Sequence, residues 1–160
     1  MPFKKIVSRS LQRYWRISRG LTLDTRIAVI DEAGKFLLVR RGTSGDWEFP
    51  GGEVANCMSV AEMLRHHLRT QAGISTKTPP ELFGVYATGE TDSNAHIALF
   101  VARAWQQTAE TPNGPAVAKS NDEPNEKAFF AADAMPAETS GPTRQRIAEI
   151  IGTLSRTPHW

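Results

Sequence analysis

Two neighbouring regions hold the residues best suited to chemistry. The first is the pair Arg40-Arg41, at the end of the apolar run Phe36-Leu37-Leu38-Val39. Adjacent guanidiniums can grip anionic oxygens through charge-assisted, paired hydrogen bonds. Charge that merely solubilises a strand end is the plainer use. The second is Phe49-Pro50-Gly51-Gly52-Glu53 and the segment that follows, with His66, His67, Thr70 and Gln71. Helical positions i, i+3 and i+4 share a face, so His67, Thr70 and Gln71 would present an imidazole, a hydroxyl and an amide together. That set is polar but uncharged, whereas Mg²⁺ prefers carboxylate oxygen. Adjacent His66 and His67 point about 100° apart around a helix and do not converge on one ion.

The elements that must position these groups follow from spacing. Residues 25–30 are β-branched and apolar, the turn Asp31-Glu32-Ala33-Gly34 follows, and residues 36–40 form a second strand, so the pair reads as a hairpin. Trp47-Glu48-Phe49 is a short strand before Pro50-Gly51-Gly52. Residues 59–72 form a helix, with Ser59 as N-cap and Glu62 at the capping-box spacing. Its stripe is Val60, Met63, Leu64, His67, Leu68 and Gln71, and Gly73 stops it. Glu62 is the only carboxylate of that helix. Residues 82–87 and 96–105 are strands joined by a polar loop, and residues 106–125 form a long loop rich in Pro, Ala, Thr and Asn. Phe129-Phe130 begins a strand, and Gly141-Pro142-Thr143 begins a last helix with Ile147, Ile150, Ile151 and Leu154 on one face. Helices alternating with strands in this order predict a mixed α/β sandwich.

A chain of 160 residues can bury the core of one domain. No apolar run reaches the roughly 20 residues of a membrane span. The lone Cys57 forms no intrachain disulfide and suits a reducing compartment, so a cytoplasmic location is expected. Residues 1–20 hold Lys4, Lys5, Arg9, Arg13, Arg16 and Arg19 and no acid, a charge of +6; the net +2 of the whole leaves a body of −4. This segment reads as a basic N-terminal helix, with Val7, Leu11, Tyr14 and Trp15 near helical spacing, ahead of a domain at 21–156. Docking on the body, or contact with nucleic acid, an acidic partner or a membrane surface, are its alternative uses.

The ordered combination resembles the Nudix family. Its box has the form G-x5-E-x7-R-E-U-x-E-E-x-G-U, where U is bulky and apolar. Gly52, Leu68, Gly73 and Ile74 stand at the frame positions. Trp47-x-Phe49-Pro50-Gly51-Gly52 is similar to the usual approach, and the Phe129-Phe130…Met135-Pro136 segment to a common late strand and turn. The resemblance covers residues 22–154 and implies a Nudix-fold α/β/α sandwich with a mixed central sheet and an extra N-terminal basic helix. It also implies hydrolysis of a nucleoside diphosphate linked to another group, with Mg²⁺ or Mn²⁺ as cofactor where active. Magnesium there neutralises the phosphates and positions the attacking water.

The box chemistry departs from that pattern. Met58 stands at the first Glu, His66 and His67 at the Arg-Glu pair, and Thr70 and Gln71 at the paired metal-binding Glu residues. The first Glu and the Arg, which can pair in the family, are lost together, so no orphan charge remains. By resemblance the Gly52 carbonyl is a metal ligand, Glu53 beside it can reach a cation, and Glu126 (with Glu123 as a nearby substitute) matches a catalytic acid. Gly51, Gly52, Arg40 and Arg41 are then the substrate-binding set, and Trp47, Phe83 and Tyr86 are aromatics able to stack on a base or fill the core. Three uses remain open. One is a hydrolase working through Glu53 and Glu126, and another a nucleotide-diphosphate-binding module with hydrolysis weak or lost. The third is an interaction protein using the basic segment on nucleic acid or protein. A homodimer is expected to be compatible with each.

Overall fold

A computed structural model describes residues 22–55, 58–88, 95–108 and 126–160. The basic segment at 1–20, Cys57, most of the loop at 88–95, and residues 109–125 with Glu123 lie outside the described residues. The strands are β1 (Thr22–Val29), β2 (Phe36–Arg40), β3 (Trp47–Glu48), β4 (Gly51–Glu53), β5 (Ile74–Thr76), β6 (Glu81–Ala87), β7 (Ala95–Ala102), β8 (Trp105–Gln107) and β9 (Glu126–Phe130). The helices are α1 (Val60–His67), continued by a π-helical turn over Leu68–Ala72, and α2 (Gly141–Ile150). No helix of the described residues is long and apolar enough to cross a membrane.

The expected hairpin of the first two strands does not form as such. Asp31 closes the turn, its carboxylate accepting from the Ala33 and Lys35 amides at 2.9 and 2.8 Å. Past one bridge, Ile30 to Phe36, the strands part into different sheets. One sheet runs β4-β1-β7-β6 and is mixed, because β1 and β7 are parallel. The other runs β3-β2-β9, and β5 pairs with β8. The physical reason is burial. In β1, Ile27 and Val29 join Leu64 and Leu68 of the first helix and Leu37 in one core, while Ala28 and Ile30 join Phe36, Leu38 and Ile147 of α2 in another. Residues 27–29 of β1 and most of β2 are covered on both faces, so these stretches are apolar throughout and carry no alternation to specify a partner. The result is an α/β/α sandwich with α1 and α2 on opposite faces.

Other boundaries also shift. The strand expected over 96–105 ends at Ala102, and Trp105 starts β8 with its indole N–H on the Ile30 carbonyl at 3.0 Å. Phe129 and Phe130 end β9 rather than begin it. The last helix stops at Ile150, and Gly152 follows in the left-handed region (φ 80°), leaving Ile151 and Leu154 49% and 53% exposed. Instead of an isoleucine stripe, α2 buries Thr143, Arg146, Ile147 and Glu149.

The first helix keeps its expected start and changes its end. The Ser59 amide donates to Glu62 Oε2 at 2.8 Å, and the Glu62 amide donates back to Ser59 Oγ at 3.3 Å. The helix's lone carboxylate is therefore used at the cap, and these bonds hold it below the ordinary glutamate range. Near its end, Thr70 Oγ1 donates to the His66 carbonyl at 2.9 Å. Such back-bonding competes with regular helix geometry and accompanies the π-helical turn. Gly73 at φ 65° caps it, and Lys127 Nζ of β9 donates to the Ala72 carbonyl at 2.6 Å, a cation at a helix C-terminus.

Candidate functional site

The site is built where the first helix meets the edge strand β4. Ile27 donates to the Pro50 carbonyl and Val54 to the Leu23 carbonyl, both at 2.9 Å, so Arg26 and Gly51 face each other as a non-hydrogen-bonded pair. The N–H and C=O of Gly51 consequently point outward, toward the helix. Gln71 takes both. Its Oε1 accepts from the Gly51 amide at 2.8 Å, and its Nε2 donates to the Gly51 carbonyl at 2.8 Å. The amide side chain thus acts as one residue of an extra strand.

Close approach explains the glycines. Gly51 adopts φ 153°, and a Cβ there would lie 2.0 Å from the Thr25 carbonyl oxygen. A Cβ on Gly52 would lie 2.9 Å from His67 Cε1. The Gly52 carbonyl, the metal ligand expected from resemblance, accepts from the buried Thr25 Oγ1 at 3.2 Å. The carbonyl turned toward the helix is that of Gly51, and Gln71 occupies it.

His67 lies beneath Gly52, 8% exposed. Its Nδ1 is 3.3 Å from Gln71 Nε2. Because Nε2 of Gln71 is a donor, Nδ1 accepts, and the hydrogen-bond network places the imidazole proton on Nε2. Among the described residues, His67 Nε2 is buried with no hydrogen-bond partner. Burial above all, then the neighbouring His66, lowers the His67 pKa from 6.5; the Glu53 backbone and Asp24 oppose this, and Arg26 adds to it. The folded state therefore binds the proton less readily than the unfolded state. Its contribution to stability is complete above about pH 6.5, the unfolded value, and is lost as pH falls through the lower folded one. Denaturant unfolding between pH 8 and pH 5 should show stability falling with acidity, and His67→Gln should remove that component.

The remaining expected site residues fall in three places. Arg40 and Glu126 are cross-strand partners and bind each other, with Nε and Nη2 of Arg40 at 3.1 and 2.6 Å from the same Glu126 oxygen. Arg40 also lies over the Trp47 ring, 5.0 Å from its centroid. Glu53 is exposed on β4 opposite Asp24, in a shallow hollow apart from the arginine cleft. Met58 is 41% exposed at the mouth of the first helix. Trp47 and Tyr86 are core residues, and Phe83 packs against that core under the Arg156 guanidinium.

Arg41, Gly51 and Gln71 instead border a cleft of about 240 Å³, together with Arg26, Asp46 and Glu48. Arg26 is the functional candidate that sequence reasoning missed. A lone arginine inside the apolar run Thr25–Ile30 was the signal available. Its Nη1 pairs with Asp24 and donates to the Thr25 carbonyl, each at 3.2 Å, and the residue lines the cleft.

The donor set does not fit a hard divalent ion. Among the described residues no group of three or more His, Cys, Asp and Glu could hold a metal. The oxygens on the helix face belong to Thr70, which bonds within the helix, and to Gln71, which bonds Gly51. Neither carries charge, and Mg²⁺ needs charged or free oxygen ligands in near-octahedral array.

The fold has known counterparts. The chain superimposes on a MutT Nudix hydrolase from Burkholderia pseudomallei with a TM-score of 0.62 and 19% identity, over 81% of this chain and 97% of that one. It matches an ADP-ribose pyrophosphatase from Streptococcus suis with a TM-score of 0.58 and 22% identity, over 88% and 96%. A Nudix hydrolase from Nitrosomonas europaea gives 0.61 and 20%, over 86% and 92%. No family profile and no curated protein sequence matches the chain. The fold is the Nudix fold.

Proposed function

We propose that this chain is a Nudix-fold binding protein for an anionic nucleoside diphosphate derivative, with magnesium-dependent hydrolysis weak or lost. The observation that carries it is the Gln71 amide closed on both polar groups of Gly51. A loop fastened in this way can shape a cleft, and the helix beside it supplies no charge to hold a metal. Arg26 and Arg41 border that cleft and suit phosphate oxygens, since guanidinium forms paired, charge-assisted hydrogen bonds. Asp46 and Glu48 on the same wall are acceptors for hydroxyl groups on the rest of the ligand. The names of two structural neighbours, an ADP-ribose pyrophosphatase and a UDP-X diphosphatase, agree with a ligand of this class. Hydrolysis through Glu126 ranks below binding, because Arg40 engages that carboxylate.

Calorimetric titration of ADP-ribose in EDTA tests the proposal. Saturable binding is expected, weakened about tenfold or more by Arg26→Met or Arg41→Met, the loss of one charged hydrogen bond of about 1.5–3 kcal/mol. No saturable binding, or unchanged affinity in the doubly substituted protein, would refute it.

A further inference from the structure

We infer that Gln71 is a positioning residue whose amide does the work of a bridging cation, so that the cleft wall at Gly51 holds its shape with no divalent ion. This rests on the same Gln71–Gly51 contact as the function proposed above, but concerns the ligand-free protein, so its test needs no ligand. A primary amide has one oxygen and two N–H groups. Here the oxygen accepts from the Gly51 amide, and Nε2 lies 2.8 Å from the Gly51 carbonyl and 3.3 Å from His67 Nδ1. One nitrogen therefore joins two lone-pair donors, a strand carbonyl and a helix imidazole, which would otherwise need a shared positive centre between them. Partial positive charge on two N–H groups supplies that centre without the desolvation of a bare dication. Gly51, Gln71 and His67 are all satisfied within this junction on the atoms that face one another. An ion entering there would have to displace at least two short hydrogen bonds.

Changing the amide to a carboxylate reverses the arrangement. In Gln71→Glu, at a pH where His67 is neutral, one carboxylate oxygen still faces the Gly51 N–H, but the other replaces Nε2 and meets the Gly51 carbonyl and the His67 lone pair, so three acceptors converge where the amide nitrogen stood. An imidazole, a carboxylate and a carbonyl are also suitable ligands for Mn²⁺.

Hydrogen exchange of the Gly51 amide at pH 8, in EDTA and in Mn²⁺, reads both halves of the inference. The unaltered protein should exchange at the same rate in either. Gln71→Glu should exchange about fivefold faster or more in EDTA, because repulsion from the Gly51 carbonyl and His67 Nδ1 drives the carboxylate off Gly51 and the amide loses a hydrogen bond near 1 kcal/mol, and Mn²⁺ should slow it again. Gln71→Leu should exchange faster in both. Slowing of the unaltered protein by Mn²⁺ would overturn the inference. So would Gln71→Glu exchanging as slowly as the unaltered protein in EDTA. Fast exchange in both variants without rescue would leave an ordinary hydrogen bond and overturn it equally.

Discussion

Replacing Arg146 by Met is expected to destabilise the fold by about 3–5 kcal/mol, the range for removing one partner of a buried ion pair. Arg146 and Glu149 are both fully buried, with Nη2 and Oε1 2.8 Å apart. The guanidinium also donates to the His159 carbonyl and to Thr157 Oγ1, each at 2.7 Å, and stacks 4.2 Å from the centroid of Tyr86. Glu149 accepts from the Tyr86 hydroxyl at 3.1 Å and from the Thr157 amide at 3.1 Å. Without Arg146 the carboxylate stays buried with no cation beside it. Tyr86 stays a neutral donor to it, because burial, then Glu149, pushes its pKa up to about 12. The same cluster holds residues 157–160 against β6, where Ala87 donates to the Pro158 carbonyl at 2.9 Å and Trp160 donates to the Ala87 carbonyl at 2.8 Å. Urea unfolding of Arg146→Met, Glu149→Leu and the double variant measures the coupling. The double variant should recover much of the loss, since apolar residues of similar volume replace such pairs well. Losses that simply add would show that the pair acts as two independent residues.

A comparable change is expected from rebuilding the acidic helix face. Met58→Glu, His66→Arg, His67→Glu, Thr70→Glu and Gln71→Glu together place carboxylates at i, i+3 and i+4. In EDTA this protein should be less stable than the original, because the Gly51 carbonyl loses its donor and like charges crowd the helix next to a buried position. Magnesium at about a hundred times its dissociation constant should return about 2.7 kcal/mol to the rebuilt protein and nothing to the original. Thermal melts with and without the ion, backed by calorimetry, provide the check. A rebuilt protein indifferent to magnesium would mean that the helix face and the Gly51 loop do not meet as described.

Much of this arrangement was legible in the sequence. Ser59 and Glu62 announce the helix start and Gly73 its end, because each is a local rule of capping. Partnerships across the chain were not. Gln71 appears in sequence as a neutral residue at an acidic position, and its bond to Gly51, 20 positions away, depends on which edge of β4 faces out. Arg40 and Glu126 looked like separate site residues, yet a pairing 86 positions apart makes them partners. Arg146 and Glu149 lie outside the face of Ile147, Ile150, Ile151 and Leu154 that the spacing picks out, and nothing local shows that Tyr86 and residues 157–160 close over them. The false hairpin has the same origin, as two strands buried on both faces offer no pattern from which to choose a neighbour.

The most direct measurement is turnover of ADP-ribose and nucleoside triphosphates in magnesium, followed by ³¹P NMR at high protein concentration. A helix face without carboxylates and a Gly51 carbonyl already taken by Gln71 predict release at the background rate, with the ligand bound and intact. Rapid magnesium-dependent cleavage that disappears in Glu126→Gln would contradict the account.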